Sequence, residues 1–152
     1  MAGVLSSASL RVKAIAALTR REHSRQELEK KLAPLAESAP QLDSVLAQLQ
    51  REGLLSDERY AESIVRTRGA RFGGARIKFE LQQKGVDGRA LAQAVEALRD
   101  SESERLQQVW QKKFGAPPAS ATERARQQRF LTQRGFSSEA IGRLFRGLED
   151  GF

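Results

Sequence analysis

The sequence predicts an all-α protein built from three tandem three-helix repeats, strung into an elongated, curved modular chain. Three observations carry that prediction. Lys84-Gly85-Val86-Asp87 returns fifty residues later as Arg134-Gly135-Phe136-Ser137, each time closing one apolar helical pattern and opening another. The register holds beyond the motif: Leu81, Gln83, Leu91, Val95 and Leu98 fall on Leu131, Gln133, Ile141, Phe145 and Leu148. An offset of forty-nine carries Ser38, Leu42, Leu46 and Leu49 onto Asp87, Leu91, Val95 and Leu98. Strand signals are missing, with no sustained apolar–polar alternation and no Asn-Gly or Asp-Gly hairpin turn between β-branched runs. The chain therefore divides into a flexible tail at 1–9 and repeats at 10–53, 54–98 and 99–152, with short linkers near Gly53-Leu54 and Arg99-Asp100.

In the first unit, a helix from about Leu10 to Thr19 presents Leu10, Ala14 and Leu18 at four-residue spacing. Ser24-Arg25-Gln26-Glu27 has the form of a capping box, in which hydroxyl and carboxylate satisfy otherwise unpaired amides. It opens a helix carrying Leu28, Leu32 and Leu35. Ser38, with Pro40 close behind, starts a third helix whose Leu42, Val45, Leu46 and Leu49 form one stripe. Gly53 can adopt the left-handed backbone that ends it.

In the second unit, Ser56 precedes Asp57 and Glu58, acids suited to the positive end of a helix dipole, and the helix runs through Ile64 towards Thr67. A flexible Gly73-Gly74 break precedes a helix with Ile77 and Leu81, and Gly85 stops it. Asp87 caps a helix with Leu91, Ala94, Val95 and Leu98 on one face, so Leu91→Asp is expected to unfold the unit. In the third unit Leu106, Trp110 and Phe114 form a stripe, and Pro117-Pro118 enforces a turn. Ser120-Ala121-Thr122-Glu123 repeats the capping-box form ahead of Phe130-Leu131, and Ser137 caps a last helix with Ile141, Leu144, Phe145 and Leu148. Tyr60 and Ile64 fall under Trp110 and Phe114, and core packing is the expected role of these aromatics.

Composition narrows the function classes. With 152 residues, 39% hydrophobic and 30% charged, the chain is too apolar for disorder and too polar for a membrane protein. Met1 to Arg21 carries no acid, as in an organellar presequence, but Arg11 and Lys13 interrupt the apolar run that a secretory signal needs. There are no cysteines, which removes disulfides, thiolate metal sites and thiol nucleophiles, and suits a reducing cytoplasm. His23 is the only histidine and sits at a helix entry, so no catalytic, metal or cofactor site is expected. No phosphate-cradling Gly-x-x-x-x-Gly-Lys stretch occurs.

The net charge of +7 is spread as +2, +2 and +3 over the three units, a field that favours a long polyanionic or acidic partner. No acid lies between Glu62 and Glu80, where Arg66, Arg68, Arg71, Arg76 and Lys78 cluster around Gly73-Gly74 with Lys84 beyond. Helix-start amides beside guanidiniums make a phosphate or carboxylate receptor. Arg124, Arg126, Arg129 and Arg134 form a parallel cluster, and the offset of fifty sets Arg76 on Arg126.

At these residues the chain resembles the RecX family, bacterial regulatory proteins of the RecA recombinase. The resemblance is carried by Arg21-Glu22-His23-Ser24 with Glu27-Leu28 and Lys31-Leu32, and by Gly53-Leu54-Leu55-Ser56-Asp57-Glu58-Arg59-Tyr60-Ala61. It continues through Arg71-Phe72-Gly73, Arg76-Ile77, Glu80-Leu81 and Lys84-Gly85-Val86 to Arg129-Phe130-Leu131 and Arg134-Gly135-Phe136. Gly74 stands where the family often has proline, which predicts a looser helix start. The resemblance implies no catalysis and no small-molecule substrate. It implies binding in the groove of a RecA filament on single-stranded DNA, restraining filament growth and suppressing strand exchange, ATP hydrolysis and co-protease activity towards the LexA repressor. The basic residues named above are the candidates for contact with RecA or DNA. A stand-alone helix-turn-helix DNA-binding protein, which would prefer particular duplex sequences, is the competing reading; the RecA reading allows only weak duplex binding.

Overall fold

A short apolar stripe on one helix cannot enclose a core alone, and in this chain a third helix lies across two others three times over. A computed structural model describes residues 3–151. Among these residues are nine α-helices, one 3-10 turn at Ala33–Leu35 and no strand beyond one isolated bridge. The helices are α1 Ser7–Arg20, α2 Arg25–Leu32, α3 Ala39–Arg51, α4 Asp57–Arg68, α5 Gly74–Gln83, α6 Gly88–Asp100, α7 Glu102–Lys113, α8 Ala121–Gln133 and α9 Ser138–Glu149. α3 packs on α1 and α2, α6 on α4 and α5, and α9 on α7 and α8.

Each trio closes its own apolar cluster. The first contains Leu10, Leu28, Leu46 and Leu49, the second Tyr60, Ile77, Leu81 and Leu98, the third Leu106, Trp110, Leu131 and Phe145. Tyr60 and Trp110 are core residues, as their spacing predicted. Three small cores leave more surface than one large one. The accessible area is 9328 Å², against roughly 7,700 Å² for a compact monomer of this mass, and the molecule is elongated.

The caps follow the sequence closely. Ser24 and Glu27 close a reciprocal box, and Ser38, Ser56, Ser120 and Ser137 each accept a first-turn amide at 3.1–3.2 Å. Each such cap contributes about 1 kcal/mol. Two expectations fail locally. Glu123 accepts the Ala119 amide at 2.7 Å instead of completing a box with Ser120, and Asp87 holds the N-cap position without a side-chain bond.

Three boundaries also shift. Residues 7–9, expected in a loose tail, already belong to α1, because Ser6 caps that helix through the Ser9 amide; Met1 and Ala2 of that tail lie outside the described residues. Leu55 packs into the first core, beyond the Gly53-Leu54 joint. Arg99 and Asp100 are helical, and the joint between the second and third units shrinks to Ser101.

The units are joined by the recurring turn. Gly85 and Gly135 have φ of +80° and +97°, which lets the chain reverse between helices. Gly85 lies against Gln26 and Gly135 against Arg76, the second pair being the first displaced by fifty residues. At the second joint the contact is backbone to backbone: the Gly73 amide donates to Arg134 O at 2.7 Å and the Ala75 amide to Gly135 O at 3.3 Å. At the first joint a carboxylate substitutes, Asp57 accepting the Arg25 amide at 2.8 Å, with Arg59 and Glu22 paired at 2.9 Å beside it. The N-terminal segment imitates the same arrangement. The Leu5 amide donates to Leu35 O at 2.7 Å, and Gln41 Nε2 to Leu5 O at 3.0 Å, so residues before α1 occupy the place of a preceding unit.

His23 is buried at the entry to α2, its Nδ1 donating to Arg21 O at 3.0 Å. Burial pushes its pKa below the ordinary 6.5, with the Arg21 carbonyl bond opposing. The unfolded chain then takes up a proton that the folded one resists. Stability is constant above the ordinary histidine pKa and falls as pH drops below it. We expect an NMR titration of the His23 ring to show a midpoint below 6.5, with the first unit losing stability as pH falls below that value. A midpoint at or above the ordinary value would contradict this.

Candidate functional site

Phe72 follows the turn that ends α4 at Gly69 and precedes the extended N-cap Gly73 of α5, and its ring lies at the joint between the second and third units. Four guanidiniums surround it, with Cζ of Arg68, Arg71, Arg76 and Arg134 at 4.7, 5.5, 4.2 and 5.1 Å from the ring centroid. Arg134 also lies 4.8 Å over Phe130, whose ring meets Phe114 edge-on at 5.4 Å. Cation–π attraction of about 0.5–1 kcal/mol per contact offsets the crowding of like charges.

These arginines are not equivalent. Arg68 is committed to Glu80 through Nε–Oε2 at 2.6 Å and Nη2–Oε1 at 2.7 Å, which holds its pKa above the ordinary value. Arg76 lies 3.9 Å from the same carboxylate. Among the described residues Arg71 and Arg134 have no carboxylate within salt-bridge distance, and Arg134 Nη1 donates to Arg71 O at 3.3 Å across the joint. The α5 start is a poorer anion receptor than its sequence suggests, since its Gly73 and Ala75 amides are spent on Arg134 and Gly135. Nor is that start loose, being pinned by those bonds.

The remaining candidates scatter. Arg66 is exposed on the last turn of α4, and Lys84 borders a groove with Tyr60 and Phe79. Lys78 opens on the opposite side, towards Glu102, Glu139 and Arg143. Arg124 is paired with Glu149 and lies 5.3 Å over Phe145, while Arg126 and Arg129 are exposed. The Arg76–Arg126 correspondence does not extend to surroundings: the Gly135 turn packs on Arg76, and no glycine turn among the described residues packs on Arg126.

The sequence reading missed Lys112 and Lys113. They end α7 and, with Arg71, Arg134, Gln108 and Val109, line a cleft of about 680 Å³ between the second and third units. The basic pair before Phe114 was visible, but its proximity to Arg71 depends on how the units dock. Arg105 was missed as well. Its guanidinium donates to Gly69 O, Phe72 O and Leu98 O at 2.8–2.9 Å, and burial pushes its pKa down, partly offset by Glu102. It meets carbonyls at the ends of α4 and α6, where a helix dipole favours a cation, and so fastens the joint.

Against known proteins, residues 56–95 match the family model for the second three-helix domain of RecX, and 100–145 that for the third. The regulatory protein RecX of Leptothrix cholodnii is 47% identical, the alignment covering 91% of this chain and 88% of that one. The chain belongs to the RecX family. The regulatory protein RecX of Ralstonia nicotianae is 44% identical over 94% of this chain and 92% of its own. In fold the chain is similar to a crystal structure of RecX from Lactobacillus salivarius, with a TM-score of 0.78, 22% identity, and 94% and 96% of the two chains covered. These RecX relatives are regulatory proteins by name. Among the described residues no cluster of His, Asp and Glu has the makings of a metal site, and no helix is long and apolar enough to cross a membrane.

Proposed function

We propose that the chain is a non-enzymatic inhibitor of RecA that lies along the groove of the RecA filament on single-stranded DNA. There it restrains filament growth and suppresses ATP hydrolysis, strand exchange and co-protease activity. RecX membership supports regulation of RecA, and the observation that carries the finer reading is the pinned joint between units. Gly73, Ala75 and Arg105 bond the second unit to the third through main-chain groups, so modest contacts by each unit are made at a fixed spacing and their free energies combine. Such a chain is suited to bridging successive filament subunits and neighbouring DNA, and the reading places it in the cytoplasm.

The test is RecA ATP turnover on single-stranded DNA with the chain added well below one per RecA. Turnover is expected to fall and filaments to shorten. Unchanged turnover and unchanged filament length reject the proposal. Tight, sequence-selective duplex binding without RecA would favour the helix-turn-helix reading instead.

A further inference from the structure

We infer that the cleft between the second and third units is a phosphodiester site, holding the backbone of a single nucleic-acid strand without reading its bases. This deepens the reading above, in which single-stranded DNA lies within or beside the partner filament, and it is testable without RecA.

Arg71 stands on the second unit, and Lys112, Lys113 and Arg134 on the third, around one cleft whose lining contains no carboxylate. Among the described residues none of the four has an acid within 4.0 Å, whereas Arg11, Arg21, Arg25, Arg59, Arg68 and Arg124 all do. Lys113 Nζ lies 5.1 Å over Phe130, and the guanidiniums of Arg71 and Arg134 rest on Phe72 and Phe130, so their positions are set before a ligand arrives. Planar guanidiniums held this way suit the paired oxygens of a phosphate. An acidic peptide would also look for main-chain partners. Four successive or neighbouring amides are already spent, however: Arg71 and Phe72 donate to Arg68 O, Gly73 and Ala75 to the third unit. What remains is point charge, which fits a chain of phosphates. Lys113, Arg134 and Phe114 all crowd the Phe130 ring, which leaves base stacking little room and makes binding sequence-blind.

The probe is a fluorescein-labelled oligo-dT without RecA, titrated by anisotropy at several salt concentrations. Changing Lys112 and Lys113 together to Glu is expected to weaken binding about tenfold or more at ~0.1 M salt and to flatten the log–log salt slope by about 1.4. Lys30→Glu with Lys31→Glu, the same charge change on the exposed end of α2, is the control and should have much the smaller effect. The neutral pair K112Q/K113Q repeats the test should the Glu pair alter the melting curve. Equal losses in cleft and control variants, no measurable binding by the unaltered chain, or displacement of oligo-dT by polyglutamate of equal length would each overturn the site. RecA turnover is scored separately: a chain that holds DNA here but leaves turnover unchanged refutes only the inhibitor reading, and the reverse result refutes only the cleft.

Discussion

Gly73→Ala is expected to separate the second and third units while leaving the helices of each intact. A Cβ at Gly73 would stand 2.2 Å from Gly135 C and 2.3 Å from Phe136 N. Both are backbone atoms, with no flexible side chain to move aside. Gly73 has φ −80° and ψ 170°, a conformation any residue adopts, so the cost is purely the contact. Overpacking costs about 1–3 kcal/mol where neighbours can yield. Here relief requires giving up the Gly73 and Ala75 bonds to the third unit, and we expect about 3 kcal/mol or more. The measurement is amide hydrogen exchange: protection at Gly73 and Ala75 should collapse with helical circular dichroism nearly unchanged. Arg71 would also move away from Lys112 and Lys113, weakening oligonucleotide binding. Gly53→Ala is the contrast. It has φ +78° with no atom near its Cβ, and should cost only about 1–2 kcal/mol.

The second large effect belongs to Leu98→Asp. Leu98 is 1% exposed in the middle core, with Tyr60, Ile77 and Leu81 in the same cluster. Truncating such a leucine costs about 2–5 kcal/mol, and an unpaired buried carboxylate adds several more. The middle unit is expected to unfold, and because it touches both neighbours the whole chain should lose cooperativity in denaturant. Leu91, which the periodicity marked for this experiment, is only partly buried at the rim of that core. A carboxylate there reaches water, so Leu91→Asp should cost about 1–2 kcal/mol and leave the unit folded. Denaturation midpoints of the two variants check the ranking; equal midpoints would mean that the core is open on the Leu98 side.

Sequence alone determined the helices, their caps and the threefold plan. Those features depend on local spacing: four-residue stripes, hydroxyls at first turns, and glycines where φ must be positive. Ser24 with Glu27, Gly85 and Gly135 all behave as written, because the atoms that satisfy them lie within a few residues. What the tertiary structure decided is which side chains meet. Gly73, read as a flexible break, is a close-approach point, and the amides of its helix start, read as an anion receptor, are bonded to the next unit. Arg68 and Arg124, members of basic runs, are paired with Glu80 and Glu149 from other helices, while Lys112 and Lys113 join Arg71 across the cleft. Charge spacing along a helix is fixed by its 3.6-residue turn. Charge spacing between units depends on the angle at which one repeat docks on the next, and that angle is set by contacts between residues some sixty positions apart.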